Sequence, residues 1–176
     1  MKFTKYKKHG AYHWKQYEQG TKYKKHADRI KGWVEEKDTL DVGAGDGKIT
    51  SLLGIRGIDN EPEAVRLAQE RGADVILGDA YDLNFCDEFC DSILMADVLE
   101  HFEFPLKALK EVRRVLKKFL YISTPPKRES LTDKFHYQEW TPQELTELVE
   151  SAGFTLLGKV DVVPEAKTMY AKFKKV

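Results

Sequence analysis

Cysteine, proline and long apolar runs are all scarce in this chain of 176 residues. Two cysteines, Cys86 and Cys90, cannot staple a fold of this size, so a disulfide scaffold is excluded and a reducing, cytoplasmic compartment is expected. No apolar stretch approaches the ~18 residues that cross a bilayer, so no helical membrane span is expected. The opening residues, MKFTKYKKHGAYHW, carry charge without an apolar stretch and do not read as a secretory signal. Net charge is absent too. Lys plus Arg is 29 and Asp plus Glu is 29, which excludes a globally basic nucleic-acid binder and an acidic disordered tail. What is present is 41% apolar residues, spread along the chain without repeats or low-complexity stretches. That suits one folded domain with a sizeable core.

The balanced charge is unevenly placed. Residues 1–33 hold nine lysines and Arg29 against Glu18 and Asp28, a net +8 that leaves −8 on the remaining 143 residues. Seven aromatics are interleaved there, among them Tyr12, Tyr17 and Tyr23. Such a mixture can contact phosphate and stack on bases. It can equally form helices whose rings pack on the protein body while the lysines face water, the reading that the aromatic spacing favours. Residues 1–35 are therefore expected as a basic, aromatic helical segment or lid, and 36–176 as the core of a single domain.

From residue 38 short β-rich runs alternate with helical stretches: Thr39–Val42, Ile55–Ile58, Val75–Leu77, Ser92–Ala96 and Phe119–Ser123. Pro62 and Pro105 open two of the helices, the second with a stripe of Leu106, Leu109, Val112 and Leu116. Thr141 and Glu144 form a capping box for a third. Phe154–Val163 and Met169–Val176 read as closely spaced final strands, which can pair antiparallel. Five alternations predict a doubly wound α/β fold, a parallel sheet with helices on both faces.

Polar residues close successive strands: Asp41, Asp59, Asp79, Asp97 and Ser123-Thr124. In such sheets ligands bind beyond the carboxyl ends of the strands. The first crossover, LDVGAGDG (40–47), has three glycines that let backbone approach a ligand. Its last glycine comes one residue too early for a dinucleotide fingerprint. Asp41 and Asp46 bracket the loop with negative charge, which would repel a diphosphate and suit a cation. Asp59 can accept ribose hydroxyls or cap the helix after it, and Asp79-Ala80 can meet a base edge. The ligand so outlined is an adenosine with a positive, phosphate-free tail, which S-adenosylmethionine fits better than NAD or ATP.

Over roughly residues 36–157 the chain resembles the class I S-adenosylmethionine-dependent methyltransferases, in particular their small single-domain type 11-like members. The likeness rests on LDVGAGDG (40–47), GIDNEPEAVRLA (57–68), LGDAYDLNF (77–85), DSILMADVLEHF (91–102) and EWTPQELTELVESAGF (139–154). It implies a Rossmann-like, seven-stranded sheet with an antiparallel last strand. It also implies a methyl donor, converted to S-adenosylhomocysteine, with Asp41, Gly43, Ala44 and Gly45 at its methionine end and Asp59 on the ribose. Asn60 would lie near adenine, Asp79 and Ala80 would hold its edge, and Ala96 would give backbone contacts. No Asp/Asn-Pro-Pro-aromatic motif follows the fourth strand, which argues against methylation of the DNA-adenine type.

His101, soon after the fourth strand, and His136, in the loop before the capped helix, are the candidate catalytic residues on the acceptor side. His13 is a candidate lid residue, whereas His9 and His26 read as surface residues of a basic helix. Glu100, His101, Glu103 and His136 could gather around a metal, but they lack paired histidines one helical turn apart, so no metal ligand is assigned. A small molecule is the expected acceptor, with RNA or protein, tethered by the basic segment, as the alternative. A further alternative is a regulatory module that binds the donor without catalysis.

Overall fold

The computed structural model describes residues 5–128 and 133–176, so Lys2 and Phe3 of the basic segment lie outside the described residues. Three helices come first: α1 (Lys5–His9), α2 (Tyr12–Glu18) and α3 (Lys22–Trp33). The alternating region follows as β1 (Thr39–Val42), α4 (Lys48–Leu53), β2 (Arg56–Asp59), α5 (Pro62–Glu70), β3 (Val75–Leu77), β4 (Cys90–Ala96), α6 (Pro105–Val115) and β5 (Leu116–Thr124). It closes with α7 (Pro142–Ser151), β6 (Phe154–Val163) and β7 (Thr168–Lys175). The seven strands form one sheet in the order β3-β2-β1-β4-β5-β7-β6. Neighbours are parallel from β3 to β5, and β7 runs antiparallel to both β5 and β6. This is the expected doubly wound architecture. The chain winds outward from β1 to β3, then returns to place β4 on the other side of β1, which makes the β1–β4 boundary the switch point where a crevice opens.

Side-chain alternation divides the core in two. Ile93 and Met95 of β4 join Leu40, Val42, Leu109, Val112 and Leu145 on the face covered by α6 and α7. Leu94 points the other way, into a cluster with Ile49, Tyr121, Tyr170 and the α3 residues Ala27 and Ile30. Part of the basic segment thus forms a layer of the core.

One local expectation is corrected and another is met. The buried stripe of α6 is Pro105, Ala108, Leu109, Val112 and Val115. Leu106 is exposed, because one position on from Pro105 turns it ~100° away from the sheet, and Leu116 already belongs to β5, which follows with no loop. The capping box at the start of α7 is present, with Thr141 Oγ1 accepting from Glu144 N at 3.2 Å and the Glu144 carboxylate accepting from Thr141 N at 2.8 Å. Among the described residues no helix is long and apolar enough to cross a membrane.

Candidate active site

The carboxyl ends of β1, β2, β4 and β5 open into a cavity of about 820 Å³, roofed by Tyr6, Tyr12 and His13 from the N-terminal helices. Its floor is the turn between β1 and α4. Gly43 N and Ala44 N both donate to Ile58 O at 2.9 Å, which ties the turn to the end of β2. Gly43 has φ +81° and a Cβ there would lie 2.2 Å from Val98, so both the conformation and the space require glycine.

Asp41 ends inside this floor, fully buried. Its Oδ2 accepts from Thr50 Oγ1 at 2.7 Å. Its Oδ1 is, among the described residues, the one buried side-chain oxygen or nitrogen with no hydrogen-bond partner. Burial raises this carboxyl to about 7, against the pull of the Thr50 hydrogen bond and with some help from Asp59. An orphaned acid on a cavity wall calls for a donor, and an ammonium group supplies both charge and hydrogens.

Asp59 stands beside it at the end of β2. Its Oδ2 accepts from Gly45 N and its Oδ1 from Glu61 N, each at 2.8 Å. Burial nevertheless lifts its carboxyl above the ordinary range. Two backbone hydrogen bonds fix the orientation of the carboxylate, while each oxygen keeps a second lone pair for a ligand hydroxyl. Gly43, Ala44, Gly45, Asn60, Ala80 and Ala96 also line the cavity. At the β3 end the wall is Gly78, Ala80 and Tyr81, whereas the exposed Asp79 accepts from Tyr81 N at 2.8 Å and shapes its own turn.

Asp46 departs from the sequence reading. Instead of presenting charge to a ligand, its buried carboxylate accepts from His13 N at 3.0 Å and lies 3.1 Å from His13 Nδ1, and its carbonyl accepts from Trp14 Nε1 at 2.7 Å. The start of α2 brings these groups to the loop, so the charge is spent on holding the roof. Tyr6 adds a second anchor, since a Cβ on Gly45 would lie 2.2 Å from its hydroxyl. Burial keeps the phenols of Tyr6 and Tyr23 well above their ordinary range, helped by Tyr12 and then carboxylates at Tyr6 and by carboxylates at Tyr23, so both remain neutral.

His26 is also corrected. It is buried on the cavity wall, with Nδ1 2.8 Å from Tyr170 Oη and Nε2 3.5 Å from Asp97 Oδ2. Tyr23, His26, Ala27 and Ile30 recur at helical spacing, and that stripe was the sequence signal for its burial. Asp97 is a further cavity residue that the strand-end pattern located without assigning it a role. It has φ +49°, and its backbone N donates to Ser123 O at 2.9 Å while its carboxylate accepts from Ser123 Oγ at 2.9 Å. A non-glycine residue held in that region is a local strain maintained by its surroundings.

The far wall carries Glu100, His101 and His136. Tyr137 N donates to Glu100 O and His101 Nδ1 to Phe135 O, both at 2.9 Å, so the loop before α7 is pinned to the turn after β4. The two imidazoles meet edge to face, with centroids 4.9 Å apart. Glu103 lines the cavity but stands outside this group.

A family model described as a methyltransferase domain matches residues 40–121. The chain is similar to the demethylmenaquinone methyltransferase of Thermotoga maritima, at 30% identity over 138 residues that cover 69% of this chain and 60% of the relative. The chain spans about half the length of the curated relatives it matches. Among solved structures, an S-adenosylmethionine-dependent methyltransferase of Thermotoga maritima superposes with a TM-score of 0.73 at 23% identity, covering 86% of this chain and 88% of the other. The magnesium protoporphyrin IX methyltransferase of Synechocystis, with bound S-adenosylhomocysteine, gives 0.72 at 15% identity over 88% and 84% of the two chains. These likenesses carry the fold.

Proposed function

We propose that this chain is a class I S-adenosylmethionine-dependent methyltransferase that transfers a methyl group from S-adenosylmethionine to a small molecule, a reading supported by the methyltransferase family model and by the relatives it resembles. The observation that carries this reading is Asp41 Oδ1, a partnerless acid buried beside glycine backbone, where the α-ammonium of the donor would be received. The bound donor supplies an activated methyl on a sulfonium. The protein contributes position: the Gly43–Gly45 backbone gives close approach to the methionine end, Asp59 receives the ribose hydroxyls, and Asn60 and Ala80 lie around adenine. Ala96 flanks the donor at the end of β4.

His101 and His136 face the acceptor in this reading, where they orient it and handle its proton if it is a hydroxyl. A roof over a cavity of about 820 Å³ favours an acceptor of small-molecule size, since donor and acceptor must share that volume. Helices α1 and α2 act as the lid, latched by Asp46, and exclude water from the reacting groups.

Calorimetry should show binding of S-adenosylmethionine and none of NAD, and turnover with a pool of cell metabolites should yield a product 14 mass units heavier. Absence of donor binding by the folded chain would overturn the reading. If the exposed lysines of α1–α3 instead recruit RNA, product will appear with RNA and affinity will fall steeply with salt. Asp59→Ala should weaken donor binding by about 1.5–3 kcal/mol, the range for hydrogen bonds to a charged group, or some 10- to 150-fold. Unchanged affinity in the folded variant removes Asp59 from the donor site.

A further inference from the structure

Thirty-four residues lie between His101 and His136 in the sequence, yet the folded chain brings them together with a carboxylate. One ligand atom from each of Glu100, His101 and His136 lies within 4.8 Å of the other two. We infer that these three residues bind one first-row divalent cation, such as Mn²⁺ or Zn²⁺, on the acceptor side of the cavity.

Each side chain is held by the kind of partner that orients a metal ligand. His101 Nδ1 lies 2.9 Å from Phe135 O, and a carbonyl can only accept, so Nδ1 carries the hydrogen and the lone pair of the neutral ring is on Nε2. His136 Nδ1 lies 2.9 Å from Glu139 Oε1. The Arg128 guanidinium donates to both oxygens of Glu139, the arrangement of an ionised carboxylate. An ionised Glu139 makes His136 Nδ1 the donor, which again leaves Nε2 as the ligating atom. Glu100 accepts from Thr124 Oγ1 at 3.0 Å.

The charge of Glu100 points the same way. Its side chain is buried and forms no ion pair among the described residues. A cation beside a buried carboxylate that has no counter-charge would offset the cost of burying it.

Ligands at about 2.1 Å from an ion lie no more than about 4.2 Å apart, so small side-chain rotations close the present spacing. Two imidazoles and one carboxylate suit Mn²⁺, Co²⁺ or Zn²⁺ better than Mg²⁺ or Ca²⁺, which prefer all-oxygen sets. Three protein ligands leave coordination positions for water or acceptor oxygens, and with the ion bound both histidines act on the acceptor through it rather than as proton acceptors. The acceptor class is therefore one with oxygen donors next to the methylated atom. Only this last step rests on the methyltransferase reading; binding of the ion does not.

The test is titration of the chelator-stripped full chain with Mn²⁺, followed by electron paramagnetic resonance, and with Zn²⁺ by calorimetry. One site per chain is expected, with nitrogen couplings from two imidazoles in pulsed spectra of the Mn²⁺ form. Glu100→Gln and His136→Asn should each lower affinity at least tenfold, while His9→Ala, on the exposed face of α1, should not. Donor binding is measured on the same samples, so loss of the methyltransferase reading is distinguishable from loss of this one. No stoichiometric ion in the parent protein, or Mn²⁺ spectra without nitrogen couplings, overturns the site whatever the variants do.

Discussion

Replacing Asp41 by Asn should nearly abolish binding of S-adenosylmethionine and yet make the unliganded protein more stable at pH 8. The two effects share one cause. Asp41 is fully buried, its Oδ1 has no partner, and its carboxyl titrates near 7 rather than at the ordinary 3.8. Between those values the folded protein holds a proton that the unfolded chain releases, so stability falls as pH rises through this window and the full penalty is present above about 7. Some three units correspond to a ceiling of about 4 kcal/mol. The amide of Asn removes that penalty but leaves a buried N–H₂ unpaired, which returns about 1–3 kcal/mol. A net gain of about 1–3 kcal/mol is expected at pH 8, or roughly 2–12 °C in Tm, and near pH 4, where the charge penalty is gone, it should turn into a loss of about 1–3 kcal/mol.

Donor affinity moves the other way. Removing one partner of a buried charge pair costs about 3–5 kcal/mol, so binding should weaken at least 100-fold. In the parent protein, affinity should also drop about tenfold for each pH unit below 7, because the Asp41 proton must leave before the ammonium can pair. Thermal melts at pH 4 and 8, with calorimetry at pH 6 and 8, check all of this. A variant that binds the donor as tightly as its parent would place the ammonium elsewhere.

The legible parts of this molecule were those set by local periodicity. Alternating β-rich and helical runs fixed the sheet, because each strand carries its burial in neighbouring residues, as Ile93, Leu94 and Met95 do. The strand-end acids Asp41, Asp59 and Asp97 located the cavity for the same reason, since strand ends and turns are local, while Asp79 of the same row lies off its wall. What stayed hidden depends on chain segments that meet from afar. The sign of Asp46 was read correctly, but nothing near it in sequence shows that His13 N and Trp14 Nε1 arrive to occupy it. His136 reaches His101 only because Tyr137 N and Phe135 O are bonded to the turn after β4. His26 belongs to an intermediate case. Its stripe with Ala27 and Ile30 was visible, but the surrounding lysines suggested solvent, and one face of α3 can be buried while the other carries charge.

Gly47→Ala should destabilise the protein far more than Gly54→Ala, although both glycines flank α4 in the left-handed conformation, at φ +75° and +66°. The backbone term is common to both and costs about 1–2 kcal/mol. Their surroundings differ. A Cβ on Gly54 meets nothing within 4 Å, whereas one on Gly47 would lie 2.7 Å from Ala73 Cβ and 2.9 Å from Ala68 Cβ. Ala68 and Ala73 are themselves buried with Val65 and Val75, and an alanine side chain has no rotamer by which to move aside. Relief must come from shifting the backbone of α5 or of the glycine turn, an overpacking cost of about 1–3 kcal/mol more. At about 2–4 °C per kcal/mol, melting temperatures should differ by several degrees between the variants. The shift also has a functional reading, because the same turn places Gly45 N against Asp59 Oδ2. Gly47→Ala should therefore lose donor affinity even where it remains folded, while Gly54→Ala should keep it. Equal melting temperatures and equal affinities would mean that α5 yields freely, and the turn would then owe its position to α1 and α2 alone.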